Sequence, residues 1–375
     1  MKYCVNARRF RALSGTNTSV RARLIKEANL VVVKIGTGIL NDSQYRLASG
    51  RIRQIVGQVA RAKKEGREVV VVSSGAVGAG MEALGYSRRP GRLEELQACA
   101  AVGQSRLMAI YQEHFASHGI QTAQVLLTHS DLEDHERHLN ARNTIMALLG
   151  RGVVPVVNEN DAVSFTELTV GDNDKLSALV AVLLPADLLV LLTSAEGLVR
   201  NFGQSNAKVV STVKNIDATT RKLAGGTRSA MSVGGMISKI NAAAIVMRAG
   251  IPMLIANGMQ RAILSKILTG QKVGTFFEPA RGKLKGRKRW IAFFHYPDGA
   301  LIVDKGAKAA LQERSTSLLS TGVIRCEGSF EEGDVVKICD LNGTEFARGI
   351  VKFSRKIMEG NPGKIAVHRN YLVVL

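Results

Sequence analysis

The sequence has little cysteine, few aromatic residues and no long apolar run. Aromatic residues make up 5% of the chain, and its cysteines form no C-x-x-C pair. Such sparse cysteines exclude a disulfide framework, argue against structural zinc and favour a reducing, cytoplasmic location. No stretch approaches the roughly 18 uninterrupted apolar residues of a membrane-spanning helix, so we expect no membrane partner. The cysteines are Cys4, Cys99, Cys326 and Cys339.

The chain is long, rich in apolar residues and strongly positive. Its 375 residues suggest two or three domains, and its 46% hydrophobic residues exclude wholesale disorder. The formal net charge is +20, which taken alone hints at nucleic acid or another polyanion. Residues 1–28 and 275–375 each carry +6 of that charge. More than half of it therefore lies outside the central part of the chain.

Two basic segments are predicted to be solvated. Residues 1–28 are rich in arginine and poor in acid, and we interpret them as a basic N-terminal extension, although an organelle transit peptide has the same composition. The run from Arg281 to Arg289 holds six bases and no acid. Such a run favours a self-repelling connector over a nucleic-acid contact, so residues 276–289 are predicted to be a linker.

Between residues 29 and 275, apolar strands alternate with amphipathic helices. Continuous apolar strands are buried on both faces, so the pattern predicts an α/β domain with a mainly parallel sheet sandwiched by helices. Ligands of such sheets bind beyond the carboxyl ends of the strands. The predicted strands are 30–35, 68–72, 124–127, 153–157, 187–192 and 252–255. The predicted helices are 47–64, 93–118, 138–149, 173–184 and 236–248.

The pattern changes near residue 290. Short strand candidates separated by turns predict a small, mostly β domain over residues 290–375. Trp290 and Tyr296 are interpreted as core residues rather than as platforms for stacking RNA bases. The strand candidates are 288–294, 300–303, 322–326, 335–340, 346–353 and 365–368, with one helix at 306–314.

Three glycine-rich segments have the features of anion sites. Lys34 is followed by Gly36 and Gly38, residues 73–80 read Ser-Ser-Gly-Ala-Val-Gly-Ala-Gly, and residues 234–239 read Gly-Gly-Met-Ile-Ser-Lys. Glycines let backbone N–H groups approach an anion, helix N-termini favour negative charge, and lysines supply positive charge. Each segment taken singly also fits an ordinary surface lysine, tight helix–strand packing or a flexible loop.

Two further segments combine carboxylates with amides. Residues 158–161 read Asn-Glu-Asn-Asp, and residues 171–175 read Gly-Asp-Asn-Asp-Lys. Side chains of these types can hold an ammonium group, orient lysines or carry magnesium through water. Two such segments in so basic a chain therefore indicate more than a pair of acidic turns.

Taken together and in order, these segments resemble the glutamate 5-kinase family of amino acid kinases. The most specific strings are 158–163 (Asn-Glu-Asn-Asp-Ala-Val) and 170–174 (Val-Gly-Asp-Asn-Asp), and the resemblance runs from residue 29 to about 275. The C-terminal block looks like the PUA domain that many bacterial members carry. The other matching strings are 33–37, 74–76, 101–105 and 234–236 in the kinase part and 287–291 and 363–369 in the C-terminal part.

The resemblance implies an enzyme that uses ATP to phosphorylate the side-chain carboxylate of L-glutamate. The product would be L-glutamyl 5-phosphate, in the first step of proline biosynthesis. The resemblance also implies ATP and Mg²⁺ as cofactors, inhibition by proline and a homo-oligomer. It implies no protein ligand for the metal, because the family binds magnesium mostly through phosphate oxygens and water. RNA is a candidate partner only for residues 281–375.

The same resemblance assigns roles to individual residues. Lys34 and Lys239 would flank the transferring phosphoryl group, and Asp174 would orient them. Asp161 would bind the α-ammonium group of glutamate. Its carboxylates would accept hydrogen bonds from Ser74, Asn158 and Asn173, and phosphates would accept them from the backbone of Gly36, Gly75 and Gly235. The nucleotide-binding residues would be Lys34, Gly36, Thr193, Ser194, Val233, Gly234, Gly235, Met236, Ile237, Ser238 and Lys239.

The chain departs from the family pattern in the nucleotide half. Ser194 replaces an aspartate, and residues 197–203 lack the usual tyrosine, which predicts weaker contacts with ribose and adenine. Two other functions stay open: a kinase acting on aspartate or N-acetylglutamate, and an RNA-binding or regulatory protein with a degenerate kinase core. The two acidic-amide strings argue against the first. The intact Lys34, Asp174 and Lys239 argue against the second.

Overall fold

A computed structural model of the chain contains most of the elements that the sequence pattern predicts. None of the helices in the described part of the chain is both long and apolar enough to cross a membrane. The structure describes residues 19–42, 46–163, 173–184, 186–225, 235–280, 287–294, 297, 299–314, 316–358 and 363–375.

The larger sheet is mainly parallel, as predicted. Within the described ranges its eight strands lie in the order β3-β4-β2-β1-β5-β9-β10-β8, and the β9–β10 pair is the antiparallel one. The strands of this part, including the separate β6–β7 ribbon, are β1 (Leu30–Ile35), β2 (Glu68–Val72), β3 (Thr122–Leu127), β4 (Val154–Glu159), β5 (Leu188–Thr193), β6 (Val199–Arg200), β7 (Lys208–Val209), β8 (Thr212–Val213), β9 (Met253–Asn257) and β10 (Thr275–Phe277).

Helices cover both faces of this sheet. On β1, Val32 belongs to one hydrophobic cluster, and Val31 and Val33 belong to the other. This alternation explains why the strand is apolar at every position. The helices of this part are α1 (Val20–Lys26), α2 (Thr37–Leu40), α3 (Ser49–Lys64), α4 (Ala76–Ala83), α5 (Leu93–Ala116), α6 (His129–Glu133), α7 (His135–Gly150), α8 (Asn173–Leu183), α9 (Ala218–Ala224), α10 (Met236–Arg248) and α11 (Ile263–Leu268).

The prediction that residues up to 28 form a solvated extension is wrong for residues 20–28. Helix α1 packs on the core, with Ile25 fully buried and Ala28 nearly so. Arg21 is also buried, and its guanidinium donates to the backbone oxygens of Ser211 at 3.1 Å and of Val273. Pairing with carbonyl groups at the far edge of the sheet lets this arginine be buried without a carboxylate. Residues 1–18 lie outside the described residues.

Helices α4 and α5 pack against each other unusually closely beside the sheet. A Cβ atom built on Gly103 of α5 would lie 1.8 Å from the backbone oxygen of Ala76, and one built on Gly80 would lie 1.7 Å from that of Cys99. Real side chains do not approach so closely, so both positions require glycine. The close contact fixes α4, and with it the strand end at Ser74, against α5.

The second part of the chain forms a separate six-stranded sheet, as the strand pattern predicts. Its strands lie in the order β12-β16-β15-β14-β11-β13 around a hydrophobic cluster of their own. The elements are α12 (Arg287–Phe293), β11 (Gly299–Val303), α13 (Lys305–Arg314), β12 (Leu318–Leu319), β13 (Val323–Gly328), β14 (Val335–Cys339), β15 (Glu345–Val351), α14 (Arg355–Met358) and β16 (Ile365–Val374).

The prediction of a strand at 288–294 is wrong, because this segment is helix α12. Its buried side chains Trp290, Ile291 and Phe294 are spaced so that they share one side of a helix. The Trp290 ring meets His135 edge-on with centroids 4.8 Å apart, and the Phe294 ring meets His138 at 4.4 Å. Helix α12 therefore packs on α7, and the interpretation of Trp290 as a core residue is confirmed. Tyr296 and residues 281–286 lie outside the described residues.

Candidate functional site

The candidate site lies where the carboxyl ends of the central parallel strands meet. Lys34 is the fifth residue of β1, Ser74 follows β2, Asn158 lies near the end of β4, and Thr193 ends β5. These strands are neighbours in the sheet. A doubly covered parallel sheet leaves its ligand crevice at this edge, so the fold gathers residues that are more than 150 positions apart.

A buried carboxylate joins the two predicted lysines. Lys34 Nζ lies 2.8 Å from Asp174 Oδ1, and Lys239 Nζ lies 2.9 Å from Asp174 Oδ2. Ser238 Oγ donates to the same Oδ2 at 2.8 Å. The side chain of Asp174 is 1% exposed, and those of the lysines are 9% and 8% exposed. Three predicted catalytic residues from three different elements therefore form one compact cluster.

The cluster keeps Asp174 ionised. Burial alone would raise the pKa of Asp174, but the nearby Lys34 and Lys239 ammonium groups outweigh burial and hold it well below its usual value. Asp174 also lies in the first turn of α8, where the helix dipole favours a negative charge. One anion between two cations leaves a net positive group suited to an anionic ligand.

Beside this cluster, polar side chains form a connected network. Asn173 Nδ2 lies 3.0 Å from Ser74 Oγ and 3.2 Å from Asn158 Oδ1. Asn158 Nδ2 donates to Gln104 Oε1 at 2.8 Å, and Gln104 Nε2 donates to Gln124 Oε1 at 3.1 Å. The three residues that were predicted to bind glutamate carboxylates therefore lie together, held in place by α5 and β3.

The predicted donor role of Asn173 does not match the structure, because its amide nitrogen already faces three protein acceptors. The amide nitrogen of Asn158 donates one hydrogen bond, to Gln104, so the prediction that it donates to a substrate stays open. Asn173 Oδ1, in contrast, is buried and has no hydrogen-bond partner. The Oδ1 atom of Asn173 can therefore accept a hydrogen bond from a ligand, whereas its Nδ2 atom already donates within the network.

The predicted nucleotide residues after β1 and β5 also lie close together. A Cβ atom built on Gly36 would lie 3.6 Å from Lys34 Nζ and 4.0 Å from the Cα atom of Thr193. One built on Gly38 would lie 3.7 Å from Ser194 Oγ. The expectation that Gly36 offers its N–H to a phosphate is wrong, because that N–H donates to the backbone oxygen of Leu192 at 3.0 Å.

The second glycine-rich segment leads into α10. Gly235 precedes the helix as its N-cap, Met236 is buried, and Ile237 is 52% exposed. Ser238 and Lys239 turn toward Asp174 as described above. The predicted nucleotide residues Val233 and Gly234, and residues 171–172 of the second acidic-amide string, lie outside the described residues.

Asp161 lines a cavity of about 230 Å³, and neither Lys34 nor Lys239 is among the residues that line it. Burial raises the pKa of its carboxyl to about 7, with a further contribution from the neighbouring Glu159 carboxylate and a smaller opposing one from Arg89. Asp161 is therefore a half-buried acid poised to change its charge near neutral pH.

Sequence reasoning assigned no role to Gln104 or Glu159, although both belong to the site. Gln104 is a buried polar residue of α5. It lies between Ala100 and Leu107 on the packed face of that helix. Glu159 stands within the first acidic-amide string and is 2% exposed. The signal for Gln104 was a lone amide on an otherwise apolar helix face.

The described side chains do not form a metal site of their own. No group of three or more His, Cys, Asp or Glu residues suited to a metal ion occurs among them. Both oxygens of Asp174 face the lysines and Ser238.

Comparisons with known proteins show which family the chain is similar to. Residues 29–257 match the model of the amino acid kinase family, and residues 299–368 match that of the PUA domain. Glutamate 5-kinase of Pelobacter propionicus is 42% identical over 95% of this chain and 100% of its own. That of a Marinomonas species is 44% identical over 88% and 89%, and that of Salmonella paratyphi B is 40% identical over 93% and 100%.

Proposed function

Because the chain belongs to the amino acid kinase family, we infer that it transfers the γ-phosphoryl group of ATP to the side-chain carboxylate of L-glutamate. The products are ADP and L-glutamyl 5-phosphate, and the reaction is the first step of proline biosynthesis. The observation that carries this proposal is the buried group of Lys34, Asp174 and Lys239 at the carboxyl edge of the sheet.

The reaction needs charge stabilisation more than proton transfer. A glutamate side chain with a pKa near 4.3 is already an anion at neutral pH, so its oxygen attacks phosphorus without a general base. A bond forms between that oxygen and the γ-phosphorus, and the bond from phosphorus to the bridging oxygen of ADP breaks. The site must bring two anions together and stabilise the charge on the transferring group.

The lysine pair suits that task. Lys34 and Lys239 approach opposite oxygens of Asp174, so the carboxylate holds two ammonium groups that would otherwise repel each other. We assign the lysines to the phosphoryl oxygens and Asp174 to their orientation. Charges that are fixed before the reaction lower its barrier because the protein need not reorganise.

The polar network supports glutamate binding next to this group. Ser74 reaches the network through Asn173, which adjoins Asp174 in sequence, so a ligand that touches Ser74 lies near the phosphoryl site. Ser74 and Asn158 would donate to a substrate carboxylate, while Asn173 would offer the ligand its amide oxygen as an acceptor. Asp161 would bind the α-ammonium group.

The nucleotide would lie between the ends of β1 and β5 and the start of α10. Gly36, Thr193 and Ser194 form one side of this region, and Gly235 and Met236 form the other. Magnesium would arrive on the phosphates of ATP, where it neutralises charge. The replacement of an aspartate by Ser194 predicts weaker ribose contacts.

Five other expectations stay predictions. They are inhibition by proline, a homo-oligomer, RNA binding, a cytoplasmic location and the domain boundaries.

Substrate choice tests this function. Purified full-length protein is incubated with ATP and magnesium in the presence of hydroxylamine, which traps acyl phosphates as hydroxamates. We expect hydroxamate and ADP with glutamate, and far less with aspartate or N-acetylglutamate. Turnover of either alternative above that of glutamate would move the chain to a related kinase. Failure of all three with several nucleotides would reject an enzyme function.

The pKa of Asp161 predicts a pH dependence for glutamate binding. Below a pKa of about 7 the carboxyl is protonated and cannot pair with an ammonium group, so the KM for glutamate should rise about tenfold per pH unit below 7. Above 8 the KM should be flat. The groups that influence this carboxyl are Glu159 of β4 and Arg89, which precedes α5.

Initial rates between pH 5.5 and 8.5 measure this dependence. Asp161→Asn provides the control, because an amide does not titrate. Its KM should be high throughout and should lack the rise below pH 7. A wild-type KM that stays constant from pH 5.5 to 8.5 would contradict the proposed role of Asp161.

A further inference from the structure

A buried tyrosine lies behind the strand end that carries Ser74. Tyr111 of α5 is fully buried, and its Oη atom lies 3.0 Å from Oγ of Ser73, which is fully buried as well. The Tyr111 ring belongs to a hydrophobic cluster of the larger sheet and stacks on Phe115 with ring centroids 6.4 Å apart. A hydroxyl group in such surroundings is costly unless it forms a hydrogen bond. The contact with Ser73 is therefore what makes a tyrosine acceptable at this position.

The hydrogen bonds run in one direction, from Tyr111 toward the site. Ser73 Oγ donates its single hydrogen to the backbone oxygen of Ser74 at 3.1 Å. The Tyr111 hydroxyl is therefore the donor in its contact with Ser73. Burial raises the pKa of this hydroxyl above its ordinary value, so the group keeps its proton at neutral pH. The two hydroxyls thus form a chain that ends on the backbone of Ser74.

This chain holds a turn that belongs to neither of its neighbouring elements. Residues 73–75 lie between the end of β2 and the start of α4, and Gly75 has a left-handed φ of 93°. Ser73 is held in three ways: its N–H donates to β4 at 2.8 Å, its backbone oxygen accepts from Asn173 Nδ2 at 3.0 Å, and its hydroxyl accepts from the tyrosine. The direction of the Ser74 side chain depends on this turn.

The hydrogen-bond network closes on α5. Asn173 Nδ2 faces both the backbone oxygen of Ser73 and Oδ1 of Asn158, and Asn158 in turn donates to Gln104 at 2.8 Å. Gln104 and Tyr111 are both buried residues of α5. They are separated by about two helical turns and so face the same side of the helix. One helix therefore holds both ends of the network that surrounds the proposed glutamate site.

We propose that Tyr111 is a positioning residue for glutamate binding, and that its hydroxyl acts through Ser73 to fix the Ser74 hydroxyl against the substrate carboxylate. This inference rests on the proposed glutamate kinase function and adds to it a buried residue that acts through another. A group that is ordered before binding need not be ordered by the substrate, which improves affinity. Because Asp174 holds the lysine cluster separately, we expect the effect on glutamate rather than on ATP.

Replacing Tyr111 with phenylalanine tests this role, because the change removes the hydroxyl and keeps the ring. We expect the KM for glutamate to rise about 3- to 10-fold, as for loss of one neutral hydrogen bond, while the KM for ATP stays unchanged. A merely structural role would lower the fraction of folded enzyme, and so the apparent kcat, and would leave both KM values as they are. Steady-state rates over a matrix of glutamate and ATP concentrations distinguish these results.

Phe115→Leu is the matched control for a loosened core. It alters the ring that stacks on Tyr111 within the same hydrophobic cluster but leaves the hydroxyl chain in place. Both KM values should remain those of the wild type. An equal rise of both KM values in Tyr111→Phe, or the same glutamate effect in Phe115→Leu, would assign Tyr111 to packing and overturn the proposal.

A double variant separates positioning from stability. Ser73→Ala leaves the Tyr111 hydroxyl buried without its partner, and adding Tyr111→Phe removes that unpaired group, so the double variant should unfold at a higher urea concentration than Ser73→Ala. The KM for glutamate should nevertheless stay equally raised in both, because both lack the same link. If the two substitutions multiply in their effect on this KM, Tyr111 acts by another route and the proposal fails.

Ser73→Ala also carries the test alone if Tyr111→Phe does not fold, because it breaks the same chain. An unchanged KM for glutamate in this variant would reject the proposal. If the wild type phosphorylates glutamate and the folded variants keep its KM, this inference alone fails. If the wild type does not phosphorylate glutamate, the proposed function fails and this inference with it.

Discussion

Replacing Lys239 with methionine should lower kcat by about 10²- to 10³-fold and change the KM for glutamate far less. Methionine keeps most of the apolar stem but removes the charge that lies 2.9 Å from Asp174. In the proposed reaction this charge acts mainly when negative charge spreads over the transferring phosphoryl group. Loss of one preorganised group of this kind has an effect of this size, and it falls on kcat.

Steady-state rates over a matrix of glutamate and ATP concentrations measure the two constants separately. Lys222→Met is the matched control, because this lysine is exposed in the last turn of α9 and its replacement makes the same chemical change on the surface. The control should keep wild-type constants. A Lys239→Met variant with unchanged kcat and a much weakened glutamate KM would remove Lys239 from catalysis and assign it to substrate binding.

Replacing Gly103 with alanine should lower the free energy of unfolding by about 3 kcal/mol. The added methyl group would lie 1.8 Å from the backbone oxygen of Ala76 and 2.4 Å from the backbone nitrogen of Gly80. Both neighbours are backbone atoms, so α4 and α5 must move apart as whole helices. Overpacking of this kind costs about 1–3 kcal/mol, and more where the surroundings cannot relax.

Denaturation with urea, followed by circular dichroism, measures the loss. Gly57→Ala is the matched control because Gly57 lies inside α3, where a Cβ atom would make only an ordinary contact of 3.7 Å with the His118 ring. Alanine is the better helix former, so the control should gain about 0.5–1 kcal/mol. Equal stability of Gly103→Ala and the wild type would mean that the helix contact is looser than described.

Much of the larger sheet could be predicted from the sequence because its strands are continuous apolar runs. The bounds of β1 and β2 agree residue for residue with the prediction, and those of β3, β4, β5 and β9 differ by one or two residues at their ends, whereas β8 and β10 were not predicted. A buried parallel strand has no polar face, so its pattern is easy to recognise. Helix α12 was missed because a short apolar segment fits a strand as well as a helix until its partners are known.

The site was predictable in part, and the reason differs from residue to residue. Lys34, Asp174 and Lys239 come together as expected because they follow strands or begin helices at one edge of the sheet. The hydrogen bond from the Gly36 N–H to Leu192 could not be predicted, since it depends on how far the backbone hydrogen bonds between β1 and β5 continue. Glu159 looked like one acidic loop residue among several, and only its burial distinguishes it.

Helix α12 has a consequence for how the chain can be divided. Its side chains Trp290, Ile291 and Phe294 belong to the same hydrophobic cluster as Leu176 of α8, the helix that begins beside Asp174. That cluster also includes Val335 and Val373 of the smaller sheet. Sequence comparison separates two modules with a gap at residues 258–298. One hydrophobic cluster crosses that gap, so the two modules share part of their apolar core, although the smaller sheet also has a cluster of its own.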